Sequence, residues 1–267
     1  MTFVLDESTA VTLQSEGVYR CSTDKRFWNG DAAYGGWLAA AVMAALQQED
    51  DHRGMLVNQT VQFHRAVRND AVDIRVSLLE RRRTLDFWSV TCTDPVDDAV
   101  VASATMVCGE KPPSETAFNA APEGFGPQSA GFRLEQRKQT PTWFGHFDMY
   151  LVKGIPFNPN PTPASAIWIR EGDGRPVDDK AILAIVDAAM PRTFFVGEGR
   201  LPASTVTLST HIYATAEELA KVGNDYMLLT TDSATIRHSF ANQQSILYAE
   251  DGLVLATSYQ TTRFRER

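Results

Sequence analysis

The chain has 267 residues, of which 43% are hydrophobic, and its formal net charge is -8 at pH 7. This length exceeds that of one small domain and allows two modest cores, so we expect two domains. The acidic balance argues against a sequence-independent grip on nucleic acid or on an anionic membrane, because both need an excess of Lys and Arg on one face. The expected partners are therefore small molecules and further copies of the chain.

The cysteines and the N-terminus indicate a reduced, intracellular setting. The three cysteines are an odd number without metal-type spacing, and they are Cys21, Cys92 and Cys108. The first ten residues carry acids where a secretory signal would be basic and then apolar, and no stretch reaches the roughly 18 apolar residues that a membrane helix requires. The sequence predicts a cytoplasmic protein with no membrane span, no metal and no other cofactor.

In chain order, each half of the sequence contains an alanine-rich helix followed by β-rich segments. The first half is predicted to have a helix over 36–46 and strands over 57–67, 72–81, 85–93 and 99–108. The second half is predicted to have a helix over 180–190, ended by Pro191, and strands over 203–214, 225–232, 235–248 and 252–264. Between them lies a segment rich in proline and glycine. The sequence therefore predicts domains 1–110 and 142–267, joined by a linker over 111–141.

Both predicted helices are apolar on nearly every face, whereas a helix on the surface of a sheet has an apolar stripe about 100° wide. Both helices must therefore be wrapped by other elements. A long antiparallel sheet curled around one central helix provides this, and that is the hotdog architecture. The matching order of elements predicts an α+β fold, a double hotdog made of two repeats of a long curved antiparallel sheet around a central helix. A pair of unrelated α+β domains is the alternative.

The second predicted helix contains one ionisable residue in its apolar interior, Asp187. Burial of an unpaired carboxylate costs roughly several kcal/mol unless the group is hydrogen-bonded or neutralised. Asp187 therefore either has partners inside the protein or lies near the helix end and points to solvent.

A second polar anomaly appears when the last strands of the two halves are aligned. Val100–Met106 matches Val254–Gln260, which places Gln260 where the first half has Met106. This difference suggests that a duplicated site is kept in one copy and lost in the other. Thr205 is a third polar candidate on a strand that would cover the helix, but Thr207 and Thr210 on the same strand are equally available.

Several motifs occur in the order of a known family. The first half has Tyr34-Gly35-Gly36-Trp37 at the start of its helix and Val61-Gln62-Phe63-His64-Arg65 in the strand that follows. The second half has Ile185-Val186-Asp187, Ser204-Thr205-Val206 and the segment 251–260. Through these motifs, and over nearly the whole chain outside the linker, the sequence resembles the acyl-CoA thioesterase II (TesB-like) group of double-hotdog proteins.

The resemblance implies a catalytic set of Asp187, Thr205 and Gln260, because that family has an Asp on the second helix, a Ser or Thr on the next strand and a Gln on the last strand. In the implied mechanism, Asp187 is the general base for a water that Thr205 and Gln260 orient, and this water attacks the thioester carbonyl of an acyl-CoA substrate. The sequence departs from the family at Thr207 and Leu208, where the family often has Asp and His.

Two further groups are candidates for substrate binding. Gly35 and Gly36 open the first helix, where they serve either a backbone oxyanion site or close packing alone. The run Arg81, Arg82 and Arg83 is a candidate contact for the phosphates of CoA, with a solvated turn between strands as the alternative.

Two other functions stay open at this point. The chain could be a non-catalytic acyl-CoA or lipid-binding protein of the same fold, or a hotdog enoyl-CoA hydratase or dehydratase that uses His64 or His211. Hotdog sheets usually extend across subunit interfaces, so we expect a homo-oligomer, either a dimer or a tetramer.

Overall fold

The two alanine-rich helices pack against each other inside one long antiparallel sheet in a computed structural model of the chain. The structure describes residues 2–122, 124–197, 199 and 201–266. Met1, Glu123, Glu198, Arg200 and Arg267 fall within the predicted domains and linker but lie outside the described residues.

The helices of the described chain are α1 (Val4–Ser8), α2 (Gly35–Leu46), α3 (Asp179–Val186), α4 (Thr193–Val196) and α5 (Ala216–Val222). Three short 3-10 helices lie at Lys25–Phe27, Gln128–Ala130 and Thr142–His146. No helix among the described residues is long and apolar enough to cross a membrane.

The first half contains β1 (Val11–Ser15), β2 (Val18–Ser22), β3 (Trp28–Asn29), β4 (Ala32–Ala33), β5 (Met55–Phe63), β6 (Ala71–Arg81), β7 (Leu85–Thr93) and β8 (Val100–Gly109). The second half contains β9 (Phe132–Leu134), β10 (Phe147–Lys153), β11 (Ser165–Glu171), β12 (Ala203–Ile212), β13 (Met227–Asp232), β14 (Ile236–Arg237), β15 (Phe240–Tyr248) and β16 (Val254–Phe264).

Within the described residues, fourteen strands form a single sheet. Its order is β1-β2-β6-β7-β8-β5-β12-β16-β15-β13-β11-β10-β9, with β14 paired to β15. The two halves meet where β5 and β12 pair antiparallel, and each half presents the same order of strands outward from this seam. Helix α2 lies between β2 and β5 in the chain, as α3 lies between β11 and β12. This duplicated arrangement is the predicted double hotdog.

Helix α2 is buried on all faces, as its apolar sequence predicts. Its residues from Gly36 to Leu46 are all buried, and five of these eleven are alanine. Small side chains allow α3 and the sheet to approach the helix closely, which an amphipathic helix with a polar face would prevent. The three free cysteines are also buried, as small apolar residues would be.

Helix α3 is shorter than predicted, because it ends at Val186 and not near Pro191. In a continuing helix the N–H of Ala188 would bond to the carbonyl of Ala184. That carbonyl instead accepts a hydrogen bond of 2.7 Å from the hydroxyl of Tyr34, and Ala188 N–H turns to Ile185 O at 2.9 Å. Helix α3 therefore ends where it contacts the first repeat, and Asp187 is its C-cap residue.

The structure corrects other element boundaries as well. The predicted strand 235–248 is two strands, because His238 and Ser239 have positive φ angles of 53° and 64° and form a turn. The predicted linker 111–141 contains β9, which pairs with β10 at the edge of the sheet. Asn119 in the same segment accepts a hydrogen bond from Val254 N–H at 2.7 Å, so the segment is fastened to the second half.

The packing of α2 leads to a test of stability. We expect Ala41→Leu to lower the free energy of unfolding by about 1–3 kcal/mol, because the added methylenes enter a filled core. Ala220→Leu, at an exposed position of helix α5, should change it by less than about 0.5 kcal/mol. Urea unfolding of both variants would measure this difference, and equal effects would contradict the packing assigned to α2.

Candidate active site

Asp187 lies at the junction of the two repeats, where the end of α3 meets the start of α2. Its Oδ2 atom accepts a hydrogen bond of 2.8 Å from the backbone N–H of Gly36. Its Oδ1 atom accepts one of 2.7 Å from Nε2 of Gln260 on β16. Asp187 therefore points into the protein, and the solvent-facing alternative is wrong.

Gln260 joins the other two candidate residues. Its side chain is on the inner face of β16, with 4% of the residue exposed. Besides the bond to Asp187, its Nε2 atom donates to Oγ1 of Thr205 at 2.7 Å. Both protons of one amide nitrogen are thus used to hold a carboxylate and a hydroxyl next to each other, while Asp187 and Thr205 keep partial access to solvent. The three residues named from the sequence converge in space.

A β-bulge turns Thr205 toward this cluster. Leu208 is buried and pairs with Gln260, so regular alternation along β12 would direct Val206 inward and Thr205 outward. The register shifts between Thr205 and Thr207, which leaves Val206 as an extra residue without a partner on β16. Thr205 therefore reaches the inner face, and strand alternation alone could not have distinguished it from Thr207.

Gly35 and Gly36 make the close approach to Asp187 possible. A Cβ atom on Gly35 would lie 2.9 Å from Asp187 Oδ2, and one on Gly36 would lie 2.7 Å from the carbonyl oxygen of Ala184. Real Cβ atoms almost never approach other atoms so closely. The two glycines thus belong to the site through packing, and the Gly36 N–H is engaged by Asp187.

The environment of Asp187 changes its ionisation. Burial raises the pKa of this carboxyl to about 7, although the hydrogen bonds from Gly36 and Gln260 act in the opposite direction. A carboxyl with a pKa near neutrality can accept a proton and return it within one reaction cycle. This property suits a general base.

The structure does not bring the arginine run to this cluster. Arg81 bonds to the carbonyl of Asp51 at 2.6 Å, the guanidinium of Arg82 lies 5.6 Å from the Phe87 ring, and Arg83 is exposed. Leu85, the first residue of β7 after the run, pairs with Gly109. Gly109 also pairs with Met55, the first residue of β5, so the run lies near the start of β5. The other end of β5, roughly 25 Å away at the usual rise per residue, is the one that contacts Gly35.

The two candidate histidines are also outside the cluster. His64 is exposed and its Nε2 atom lies 2.9 Å from Ser103 Oγ. His211 is exposed on the outer face of β12, where Nδ1 lies 3.4 Å from Asn58 Nδ2. Neither histidine has a hydrogen bond to Asp187, Thr205 or Gln260 in the described structure, so the geometry gives no support to a histidine-based hydratase.

Sequence reasoning missed two buried polar residues behind Gln260. Gln243 pairs with Gln260 across β15 and β16, and its Nε2 atom donates to Gln260 Oε1. Arg192, which follows α3, donates in turn to Gln243 Oε1 from its backbone N–H at 3.1 Å. Comparison with the first repeat could have revealed Gln243. There the residue that pairs with Met106, as Gln243 pairs with Gln260, is Trp88, which has an apolar side chain.

Comparison with known proteins assigns the chain to a family. The model of the acyl-CoA thioesterase N-terminal domain matches residues 25–109, and that of the acyl-CoA thioesterase C-terminal domain matches residues 115–264. A search of curated proteins found no match. The two domain models cover most of the chain, which therefore belongs to the acyl-CoA thioesterase family and is a thioester hydrolase.

Solved structures share the whole fold at low sequence identity. A conserved hot dog fold protein of unknown function from Alicyclobacillus acidocaldarius is 22% identical, with both chains covered over 100% and a TM-score of 0.94. The tesB protein of Mycobacterium avium subsp. paratuberculosis is 15% identical, with 98% of each chain covered and a TM-score of 0.80. The acyl-CoA thioesterase II TesB2 of Mycobacterium marinum is 13% identical, with 99% of each chain covered and a TM-score of 0.75. These similarities establish the hotdog fold.

The raised pKa of Asp187 predicts an unusual pH dependence of stability. The folded carboxyl keeps its proton up to about pH 7, whereas the unfolded one loses it near its ordinary pKa of about 4, so the folded state binds more protons between these values. The free energy of unfolding should therefore fall as pH rises through this window, by up to about 1.4 kcal/mol per pH unit, relative to Asp187→Asn. Urea unfolding of both proteins from pH 4 to 8 would measure this, and parallel curves would contradict it.

Proposed function

We propose that the chain hydrolyses acyl-CoA thioesters to a free acid and CoA, with Asp187 as the general base for the attacking water. The observation that carries the proposal is the convergence of Asp187, Thr205 and Gln260 at the junction of the repeats. A carboxylate, a hydroxyl and an amide held within hydrogen-bond distance form a site in which one water can be bound and activated.

In this mechanism Asp187 takes one proton from the water, and the water oxygen forms a bond to the thioester carbonyl carbon. The tetrahedral intermediate then collapses, the carbon–sulfur bond breaks, and the thiolate of CoA leaves with the electron pair. The proton held by Asp187 passes to the leaving sulfur, so the carboxylate is ready for another cycle. No metal or redox partner takes part in this sequence of steps.

Thr205 and Gln260 have separate tasks in the proposed site. Because Thr205 Oγ1 accepts a hydrogen bond from Gln260, its own hydroxyl proton is directed elsewhere and can be donated to the water. Gln260 fixes the positions of Oδ1 of Asp187 and of Thr205 together. The water is thereby held beside the base in one orientation, which lowers the entropic part of the barrier.

The negative charge on the carbonyl oxygen needs donors as the tetrahedral intermediate forms. The first turn of α2 lies at the site, and its N–H groups have no partners within the helix. Gly36 N–H serves Asp187, so we assign the oxyanion to the positive end of the helix beside it.

The family assignment favours hydrolysis over both alternatives, the non-catalytic binding protein and the hydratase. The division into domains 1–110 and 142–267, the cytoplasmic location and the homo-oligomeric state stay predictions from the sequence.

Substitutions at the site test the proposal. Asp187→Asn should lower kcat for acyl-CoA hydrolysis by about 10²–10⁴-fold, the usual contribution of a general base. Thr205→Ala should lower it by about tenfold or more, whereas Thr205→Ser, which keeps the hydroxyl, should stay within about threefold. Thr207→Ala is the matched control on the same strand. Free-thiol release over a panel of acyl-CoA chain lengths measures these rates, and a wild-type protein that releases no thiol would overturn the proposal.

The pH profile is a separate test of the base. Asp187 must be ionised to accept a proton, so kcat/KM should fall about tenfold per pH unit below an apparent pKa of about 7. An exposed aspartate would instead give a limb near pH 4, as expected for an ordinary carboxyl. A flat profile between pH 5 and 8 would exclude Asp187 as the base.

A further inference from the structure

A chain of buried polar groups extends from Asp187 away from the solvent. It runs from Gln260 on β16 to Gln243 on β15 and then to Arg192, the residue that follows Pro191. These three residues have exposed fractions of 4%, 2% and 0%. Buried polar side chains in such an interior are stable when each is hydrogen-bonded to the next, and the chain meets this condition.

The donors and acceptors along this chain can be arranged in one direction. Arg192 has donors and no acceptor in its side chain, and both its N–H and its Nε atom face Gln243 Oε1, at 3.1 and 3.4 Å. Gln243 therefore offers its NH₂ group to Gln260, whose Oε1 atom accepts from it. The remaining NH₂ group of Gln260 then faces Asp187 and Thr205, as the proposed site requires.

Arg192 is held by neutral groups. Its Nη1 atom donates to Pro163 O at 2.9 Å and to Ser165 Oγ at 2.8 Å, and its guanidinium lies 4.4 Å from the ring of Phe195. Within the described residues its guanidinium forms no salt bridge. Burial lowers the pKa of Arg192 to about 9, which still leaves it protonated at neutral pH. The residue therefore acts as a fixed donor at the inner end of the chain.

The first repeat shows that this polar chain belongs to the site. The two repeats can be aligned at the helix starts, Gly35 and Asp179, and along the bulged strands β5 and β12 with their partners β8 and β16. This alignment gives one counterpart for each residue of the site. The counterparts of Asp187, Thr205, Gln260 and Gln243 are Met43, Leu56, Met106 and Trp88. All four counterparts are buried and apolar. Gln243 thus differs between the repeats together with the three residues of the proposed catalytic set.

We propose that Gln243, anchored by Arg192, is a positioning residue that fixes the side-chain amide of Gln260 with its NH₂ group toward Asp187 and Thr205. This inference rests on the proposed function for its effect on turnover. Its effect on the ionisation of Asp187 holds whether or not the chain turns over acyl-CoA.

Replacement of Gln243 by glutamate should reverse the arrangement. A carboxylate at this position accepts from Arg192 and from Gln260 but cannot donate, so the amide of Gln260 turns its Oε1 atom toward Asp187. Asp187 then loses a hydrogen bond to its ionised form, and its pKa rises. Among the described residues, the other charged and titratable groups that interact with this cluster are Tyr34, from the segment before α2, Arg192, and Asp232 at the end of β13, which acts on Arg192. All three are present in every variant.

The experiment compares Gln243→Glu and Gln243→Met with the same two changes at Gln244, which is exposed on the other face of β15. The pKa of Asp187 is measured by NMR on protein with ¹³C-labelled aspartate carboxyls, with the signal assigned by Asp187→Asn. For Gln243→Glu we expect this pKa and the acidic limb of kcat/KM to rise by about one pH unit, and kcat to fall about tenfold with KM changed less than threefold. The Gln244 variants should match the wild type.

An unchanged Asp187 pKa in Gln243→Glu would overturn the positioning role, even if the wild type hydrolyses no acyl-CoA and the proposed function fails. Should Gln243→Glu not fold, Gln243→Met keeps a similar volume without a charge and decides the question. It is expected to lower kcat and raise the pKa of Asp187, because Gln260 is no longer held, and values equal to those of Gln244→Met would refute the proposal.

Discussion

The hydrogen bond between Gly36 N–H and Asp187 Oδ2 is the contact on which the site depends. It joins the start of one repeat's helix to the end of the other's, so neither repeat alone contains the complete arrangement. The contact requires glycine at the start of α2, because a side chain at Gly35 would overlap the carboxylate. It also coincides with the end of α3, where the hydroxyl of Tyr34 takes the carbonyl of Ala184 that the next helical turn would use. Local sequence, helix length and site geometry are thus fixed by one junction.

Duplication of the fold made it possible to keep one polar site and fill the other. In the first repeat the corresponding volume contains apolar side chains such as Met106 and Trp88, which stabilise the core through burial. In the second, the pair Gln260 and Gln243 occupies the same cross-strand position and requires hydrogen-bond partners that extend to Arg192. A buried amide contributes less to stability than a packed apolar group, so its retention in one copy is best explained by function.

Much of the fold could be predicted because the pattern of apolar residues determines it. Two helices without a polar face and long alternating strands in the same order gave the double hotdog. Asp187 and Gln260 were found as polar residues at positions where apolar ones fit. Thr205 could be chosen only through the family resemblance, because the bulge at Val206 reverses the alternation and leaves no trace in composition. The arginine run was placed by residue type, and sequence alone does not tell which end of a hairpin lies near the site. Gln243 sits in a polar run where its inward direction depends on strand register.

The same junction explains how a carboxyl obtains a pKa near neutrality. Asp187 is the capping residue at the C-terminal end of α3, where the helix dipole disfavours negative charge, and burial acts in the same direction. The N-terminal end of α2 and the amide of Gln260 favour the ionised form. Burial alone would hold Asp187 protonated and useless as a base, whereas full solvation would leave it too weak to accept a proton. Opposed helix ends, with one amide whose direction is set from Arg192, place the carboxyl between these limits. In this chain the two helix ends meet at the junction of the repeats, where Gly36 N–H donates to Asp187.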